Sequence, residues 1–73
     1  MDDSPYLKLS RQIREARKSA DLSQDDLAAL AETSRRPIYL LESGKGSIKV
    51  ETLIQILDAL GLEIEVRPKR PLK

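Results

Sequence analysis

The 73-residue sequence has no cysteine, no histidine, no tryptophan and no phenylalanine, and its only aromatics are two tyrosines. Disulfides are therefore excluded, and the usual zinc ligands are missing. Thiol and imidazole nucleophiles go with them, so an enzyme would have to work from carboxylates, serine or tyrosine alone. The chain reads as a non-enzyme that calls for no cofactor and no metal. No apolar run approaches the ~20 residues that cross a bilayer, and the start Met1-Asp2-Asp3-Ser4 is acidic where a secretory signal would be basic. A soluble, cytoplasmic protein is expected. A domain near this size buries only about 60% of the surface its unfolded chain exposes. With disulfides and metals excluded, oligomerisation is the remaining support.

Charge is present in both signs, 13 Lys and Arg against 12 Asp and Glu, for a net +1. The distribution is more informative than the sum. Residues 33–49 hold Arg35, Arg36, Lys45 and Lys49 against Glu42 alone, whereas residues 1–32 and 50–62 are each net acidic. A basic window suits a polyanion partner, although the same charges can be a solvated face.

Apolar spacing predicts four helices. Tyr6, Leu9, Ile13, Ala16 and Ala20 form one stripe, and Ser4-Pro5 supplies an N-cap with proline at the first helical position. In the second helix Ser23 as N-cap puts Asp26 at the third position, a short-armed capping box, with Leu22 and Leu27 as a hydrophobic staple. This short helix runs to about Glu32 and is expected to bury Leu27, Leu30 and Ala31. Pro37 decides where the third helix begins. With Ser34 as N-cap, Pro37 is the third helical residue, where no intrahelical hydrogen bond is lost; a cap one residue earlier would forfeit one. Arg35 and Arg36 then open the helix, Ile38 and Leu41 point inward, and Gly44 stops it. A fourth helix from about Val50 carries Val50, Leu53, Ile54, Leu57 and Leu60 until Gly61.

The period then changes. Leu62, Glu63, Ile64, Glu65, Val66 and Arg67 alternate apolar and charged, the pattern of a half-buried strand that Pro68 ends. A lone strand in a helical chain needs a partner, and the same strand of a second subunit is the simplest one. Centring the two-fold on Glu65 pairs Glu63 with Arg67 of the second copy twice; centring on Ile64 opposes Glu63 and Glu65 twice, so the Glu65 register is favoured. Residues 1–67 are expected to form one domain that includes the dimerisation strand, and residues 68–73 a disordered basic tail.

Two short helices joined by a tight turn form a helix-turn-helix candidate. The stretch Leu22-Ser23-Gln24-Asp25-Asp26-Leu27-Ala28, together with Ser34-Arg35-Arg36, Ile38, Leu41-Glu42 and Gly44-Lys45, resembles the Cro and phage-repressor-like family over roughly residues 7–61. The resemblance implies a mainly α, four-helix, lambda-repressor-like fold whose second motif helix lies in the DNA major groove. The single motif followed at once by a strand looks like the HipB-type antitoxins, which are dimeric repressors whose C-terminal strands pair and whose partner is a HipA-like toxin kinase. Three positions depart from the family pattern: Pro37 within the reading helix, Leu40 where a polar base-reading residue is common, and Lys49 where a capping serine is common.

Arg35 and Arg36 are either solvated charges or base readers, and the helix dipole slightly disfavours cations there, which favours function. Ser34 is an N-cap that also stands near DNA. Gln24 and Thr33 occupy positions where the family contacts phosphate. Tyr39 is a core residue or a contact to phosphate or a thymine methyl, and Leu40 is an unremarkable exposed residue or a thymine-methyl contact. Lys45 and Lys49 border the loop and face phosphate unless merely solvated. The resemblance places Arg17 and Glu42 as a salt bridge between the first helix and the end of the reading helix. Asp25, Asp26 and Glu32 read as helix-start and solvating charges, not as a catalytic pair. The implied function is a homodimeric repressor on an inverted-repeat operator, with two alternatives: a stand-alone phage-like or metabolic regulator, or a toxin-neutralising module with secondary DNA binding.

Overall fold

The computed structural model describes residues 4–69. Its elements are α1 (Pro5–Ser19), α2 (Gln24–Ala31), α3 (Arg35–Ser43) and α4 (Val50–Ala59). The Met1-Asp2-Asp3 start and the last four residues of the expected tail lie outside the described residues.

Side-chain caps start α1 and α2, whereas α3 and α4 begin without one. Ser4 Oγ accepts from the Leu7 N–H at 3.1 Å, with Pro5 at the first helical position. At α2 the capping box is complete: the Asp26 N–H donates to Ser23 Oγ and the Ser23 N–H donates to Asp26 Oδ2, both at 2.9 Å. Two orphan donors are satisfied reciprocally. Hydrogen bonding to the Asp26 carboxyl, from the Ser23 backbone N–H first and the Ser23 hydroxyl second, holds it below its ordinary value. Ser34 has the extended backbone of an N-cap at α3, yet its side chain accepts nothing. Capping serines accept from the second or third helical N–H; here the third residue is Pro37, which has none.

The turns are closed by left-handed residues. Gly44 ends α3 at φ 73°, and a Cβ there would stand 2.7 Å from Leu7 Cδ2, so the position also lets α1 approach closely. The turn between α2 and α3 is different, because it places Glu32 at φ 58°. An L-residue there is strained relative to glycine, and the conformation persists because the Thr33 N–H reaches back to the Ala28 carbonyl at 2.9 Å.

Ile13 of α1, Leu27, Ala28 and Ala31 of α2, Ile38 and Leu41 of α3, and Ile56 and Leu57 of α4 make the core, with Tyr6, Leu9, Leu22, Ile48, Leu53, Ala59 and Leu60 packed around it. Three sequence expectations are corrected. Leu30 is 58% exposed and Ala28 is buried in its place, because at about 100° per residue Ala28 shares a face with Leu27 and Ala31 while Leu30 falls to its side. Ala20 is exposed, beyond the end of α1, and the inward face of that helix instead includes Ser10 and Arg17. In α4, Val50 and Ile54 face outward while Ile56 is fully buried. That helix is apolar on two sides, and only one of them can face its own core.

The outward side of α4 continues into the segment that follows. Leu62 and Ile64 line a cleft with Ile54 and Leu57. Residues 62–69 have no regular secondary structure in this single chain, and Val66 is 92% exposed. A strand exists only through hydrogen bonds to a second strand, so the expected pairing requires a second copy. Among the described residues no helix is long and apolar enough to cross a membrane.

The backbone at Glu32 yields a stability prediction. Glu32→Gly relieves the left-handed strain and should raise stability by about 0.5–1 kcal/mol in chemical denaturation. A loss of stability would show that the glutamate side chain compensates its backbone.

Candidate nucleic-acid interface

Arg17, on the inner face of α1, is the origin of the site. Its guanidinium is clamped on three sides: Nε donates to Glu42 Oε2 at 2.7 Å, Nη2 to Glu42 Oε1 at 2.9 Å, and Nη1 to the Leu22 carbonyl at 2.7 Å. The side chains are 11% and 5% exposed. One residue thus joins α1, the lead into α2 and the last turn of α3. The Glu42 hydrogen bonds raise the Arg17 pKa against the opposing effect of burial. At Glu42 burial pushes the carboxyl up, but the hydrogen bonds from Arg17 and Gln24 and the charges of Arg17 and Arg14 outweigh it, so its pKa is lowered.

The network continues outward. Gln24, the first residue of α2, donates from Nε2 to Glu42 Oε1 at 3.2 Å and accepts on Oε1 from Arg35 Nε at 3.0 Å. The amide has one workable orientation, because the reverse would face its NH₂ to a guanidinium and its oxygen to a carboxylate. A buried ion pair is therefore linked through one neutral amide to an exposed arginine at the tip of α3. Arg35 gives its Nε to this link, which leaves the two Nη groups for a partner. In this free state Gln24 has both ends of its amide engaged.

At about 100° per residue, the outward face of α3 places Arg36 centrally, Arg35 and Tyr39 on one flank, and Leu40 and Pro37 on the other. Arg35 and Arg36 are exposed, as are Ser34, Lys45 and Lys49; Thr33 and Leu40 are half-buried. Tyr39 is 52% exposed, so it stands outside the core. Arg35, Arg36 and Tyr39 share one shallow concavity, and Arg36, Pro37, Leu40 and Lys49 share the next.

Two further residues shape this face. The Tyr6 hydroxyl reaches the Lys45 and Gly46 carbonyls at 3.4 and 3.3 Å, fixing the loop after α3 to the start of α1. Spacing within α1 placed Tyr6 in an apolar stripe and gave no signal for a contact 39 residues away. Gly46 lies against Leu40: a Cβ there would be 3.3 Å from Leu40 Cδ2. No group of carboxylates able to hold a metal is present among the described residues, and Asp26 is committed to its cap.

The sequence profile of the helix-turn-helix family matches residues 13–66, which takes in the Arg17–Glu42 clamp, both motif helices and α4. The chain belongs to this helix-turn-helix family. It is 37% identical over 54 residues to the HTH-type transcriptional regulator y4mF of Sinorhizobium fredii, covering 74% of this chain and 71% of that one. Among solved structures it resembles the restriction-modification controller protein C.AhdI from Aeromonas hydrophila, at 28% identity and a TM-score of 0.72, over 80% of this chain and 88% of the controller. A chain of the HipA-HipB-O2-O3 complex shares the fold at a TM-score of 0.80 and 17% identity, over 96% of this chain and 99% of that one. The helix-turn-helix protein is thus a DNA-binding transcriptional regulator of the XRE type, and its second motif helix is α3. The family is one of DNA-binding regulators, not of enzymes.

The clamp gives the next prediction. Glu42→Gln leaves a buried arginine without its counter-charge and should cost about 3 kcal/mol or more, a large share of the stability of a small domain. Because the Glu42 pKa is lowered on folding, its contribution is present above the unfolded pKa and lost as pH falls through the folded one. The melting temperature of the native chain should therefore decline below about pH 4, with a shallower decline in the glutamine variant. Equal slopes, or a neutral substitution, would remove the clamp from the account.

Proposed function

We propose that the chain acts as a homodimeric repressor that binds an inverted-repeat operator, and that it is the HipB-like antitoxin of a toxin pair, repressing its own operon and binding a HipA-like kinase. The observation that carries the DNA-reading part is the placement of Arg35 and Arg36 at the outward tip of α3, with Arg35 held through Gln24. A guanidinium takes guanine O6 and N7 together, worth about 1–3 kcal/mol of discrimination per good pair. Ser34, whose hydroxyl is not used by the helix, and Thr33, Lys45 and Lys49 around the tip are assigned to phosphate. Gln24 joins them as the residue that orients Arg35 and borders the backbone, and Tyr39 contributes its exposed hydroxyl.

The dimer is supported by the outward apolar side of α4 and by residues 62–67, whose alternation suits a strand shared with a second copy. Two α3 helices related by a two-fold would enter successive major grooves about one helical turn apart. The antitoxin role is supported by the fold shared with a chain of the HipA-HipB-O2-O3 complex over nearly the whole of both chains. A stand-alone regulator without a toxin is the second reading, favoured by the likeness to a restriction-modification controller protein. Copurification with the product of a neighbouring kinase-like gene separates the two.

Selection of bound fragments from random duplex DNA should return an inverted repeat. Affinity should fall with salt at a logarithmic slope of about 0.9 per contacted phosphate, and Arg35→Ala should change which sequence is selected. Uniform weakening on all sequences would place Arg35 on phosphate only. Between subunits, cysteines at positions 63 and 67 should crosslink more readily than cysteines at 63 and 65; the reverse preference rejects the Glu65-centred register.

A further inference from the structure

The reading face of α3 has two chemically different flanks: Arg35 and Tyr39 give one of them polar side chains, and Pro37 and Leu40 give the other apolar ones. On the other flank Pro37, Leu40 and Ile48 are the apolar walls of a notch of about 280 Å³ that Arg36, Ser47, Lys49 and Thr52 also line. Proline has no N–H, and the side chains of leucine and isoleucine have no polar atom, so these three side chains offer a base apolar contact alone. Leu40 is also held in place. It is half-buried, and its Cγ and both Cδ atoms lie within 3.3–3.8 Å of where a Cβ on Gly46 would stand. The Tyr6 hydroxyl ties that same loop to α1. An apolar wall that is fixed before binding costs little ordering when it is covered.

We propose that this notch receives the C5 methyl of a pyrimidine, a thymine of the operator, next to the base that Arg36 or Arg35 reads. This rests on the DNA-binding reading above. The occupant follows from the chemistry. The C5 methyl is the apolar group that a major groove displays, and Lys49, assigned above to phosphate, lines the same notch. An apolar peptide would leave Arg36 and Lys49 unpartnered. The same methyl is carried by 5-methylcytosine, so cytosine methylation at that position would be read by the same wall.

The test uses the full chain and the duplex obtained by selection. Each thymine of a half-site is replaced in turn by deoxyuridine, which removes the methyl and nothing else. One position should lose about fourfold in affinity per half-site, the factor that one buried methyl carries. That loss should vanish in Leu40→Ala, whose folding is checked by its melting curve. At the same position 5-methylcytosine should bind more tightly than cytosine by a similar factor, and comparison with thymine shows which base the notch prefers. Equal affinity for thymine and deoxyuridine at every position would overturn the proposal without any variant protein. So would an undiminished thymine preference in folded Leu40→Ala. Failure to enrich any duplex would instead overturn the DNA-binding reading itself.

Discussion

A guanidinium inside a domain this small is tolerable only if its hydrogen bonds are made, and the structure is arranged around satisfying Arg17. Two of its donors go to both oxygens of Glu42 and a third goes to the Leu22 carbonyl. The partners lie on separate elements, so the charge is buried favourably only when α1, the start of α2 and the end of α3 are all in position. An apolar core tolerates small shifts between helices; a bidentate ion pair with a third carbonyl does not. The apolar contacts of Ile13, Leu27, Ile38 and Leu41 supply the driving force, and the clamp supplies the registration.

The consequence for function is that fold and recognition share one chain of contacts. Glu42 Oε1 accepts from both Arg17 and Gln24, and Gln24 in turn accepts from the Nε of Arg35. Holding Arg35 before DNA arrives lowers the side-chain entropy lost on binding, while Arg36, one residue on, has no such link and keeps its freedom. The apolar flank is organised by different means, through Gly46 against Leu40 and Tyr6 against the loop. A single reading helix thus presents a donor flank tied to the core by polar contacts and an apolar flank tied to it by packing.

What could be read from the sequence was whatever short-range chemistry decides. The Ser23–Asp26 capping box, the proline argument for a start after Ser34 and the stop at Gly44 all follow from residues within one turn of each other. Amphipathic faces were legible only where a helix has one apolar side. In α4 spacing selected Ile54 for the core when Ile56 is the buried residue, since a sequence does not say which apolar side faces its own core and which is left for another surface. Leu30 misled for a related reason: the spacing of Leu27, Leu30 and Ala31 and that of Leu27, Ala28 and Ala31 both describe a helical face, and the buried one contains Ala28. Within the site, the Arg17–Glu42 pairing came from resemblance, whereas the Gln24 link to Arg35 and the Tyr6 contacts join residues 11 to 40 positions apart that no local pattern connects. The left-handed Glu32 was invisible because glutamate carries no preference for that conformation.

The central claim is that the buried clamp orders Arg35, the arginine proposed to read DNA, and it can be examined in the free protein. Nitrogen-15 relaxation at the arginine Nε positions reports side-chain order on the picosecond to nanosecond scale. The account predicts that Arg35 is markedly more ordered than its exposed neighbour Arg36, and that Gln24→Ala lowers the order of Arg35 while leaving Arg17 rigid. If Arg35 were as mobile as Arg36 in the native chain, or unchanged by loss of Gln24, the link from core to reading surface would be refuted.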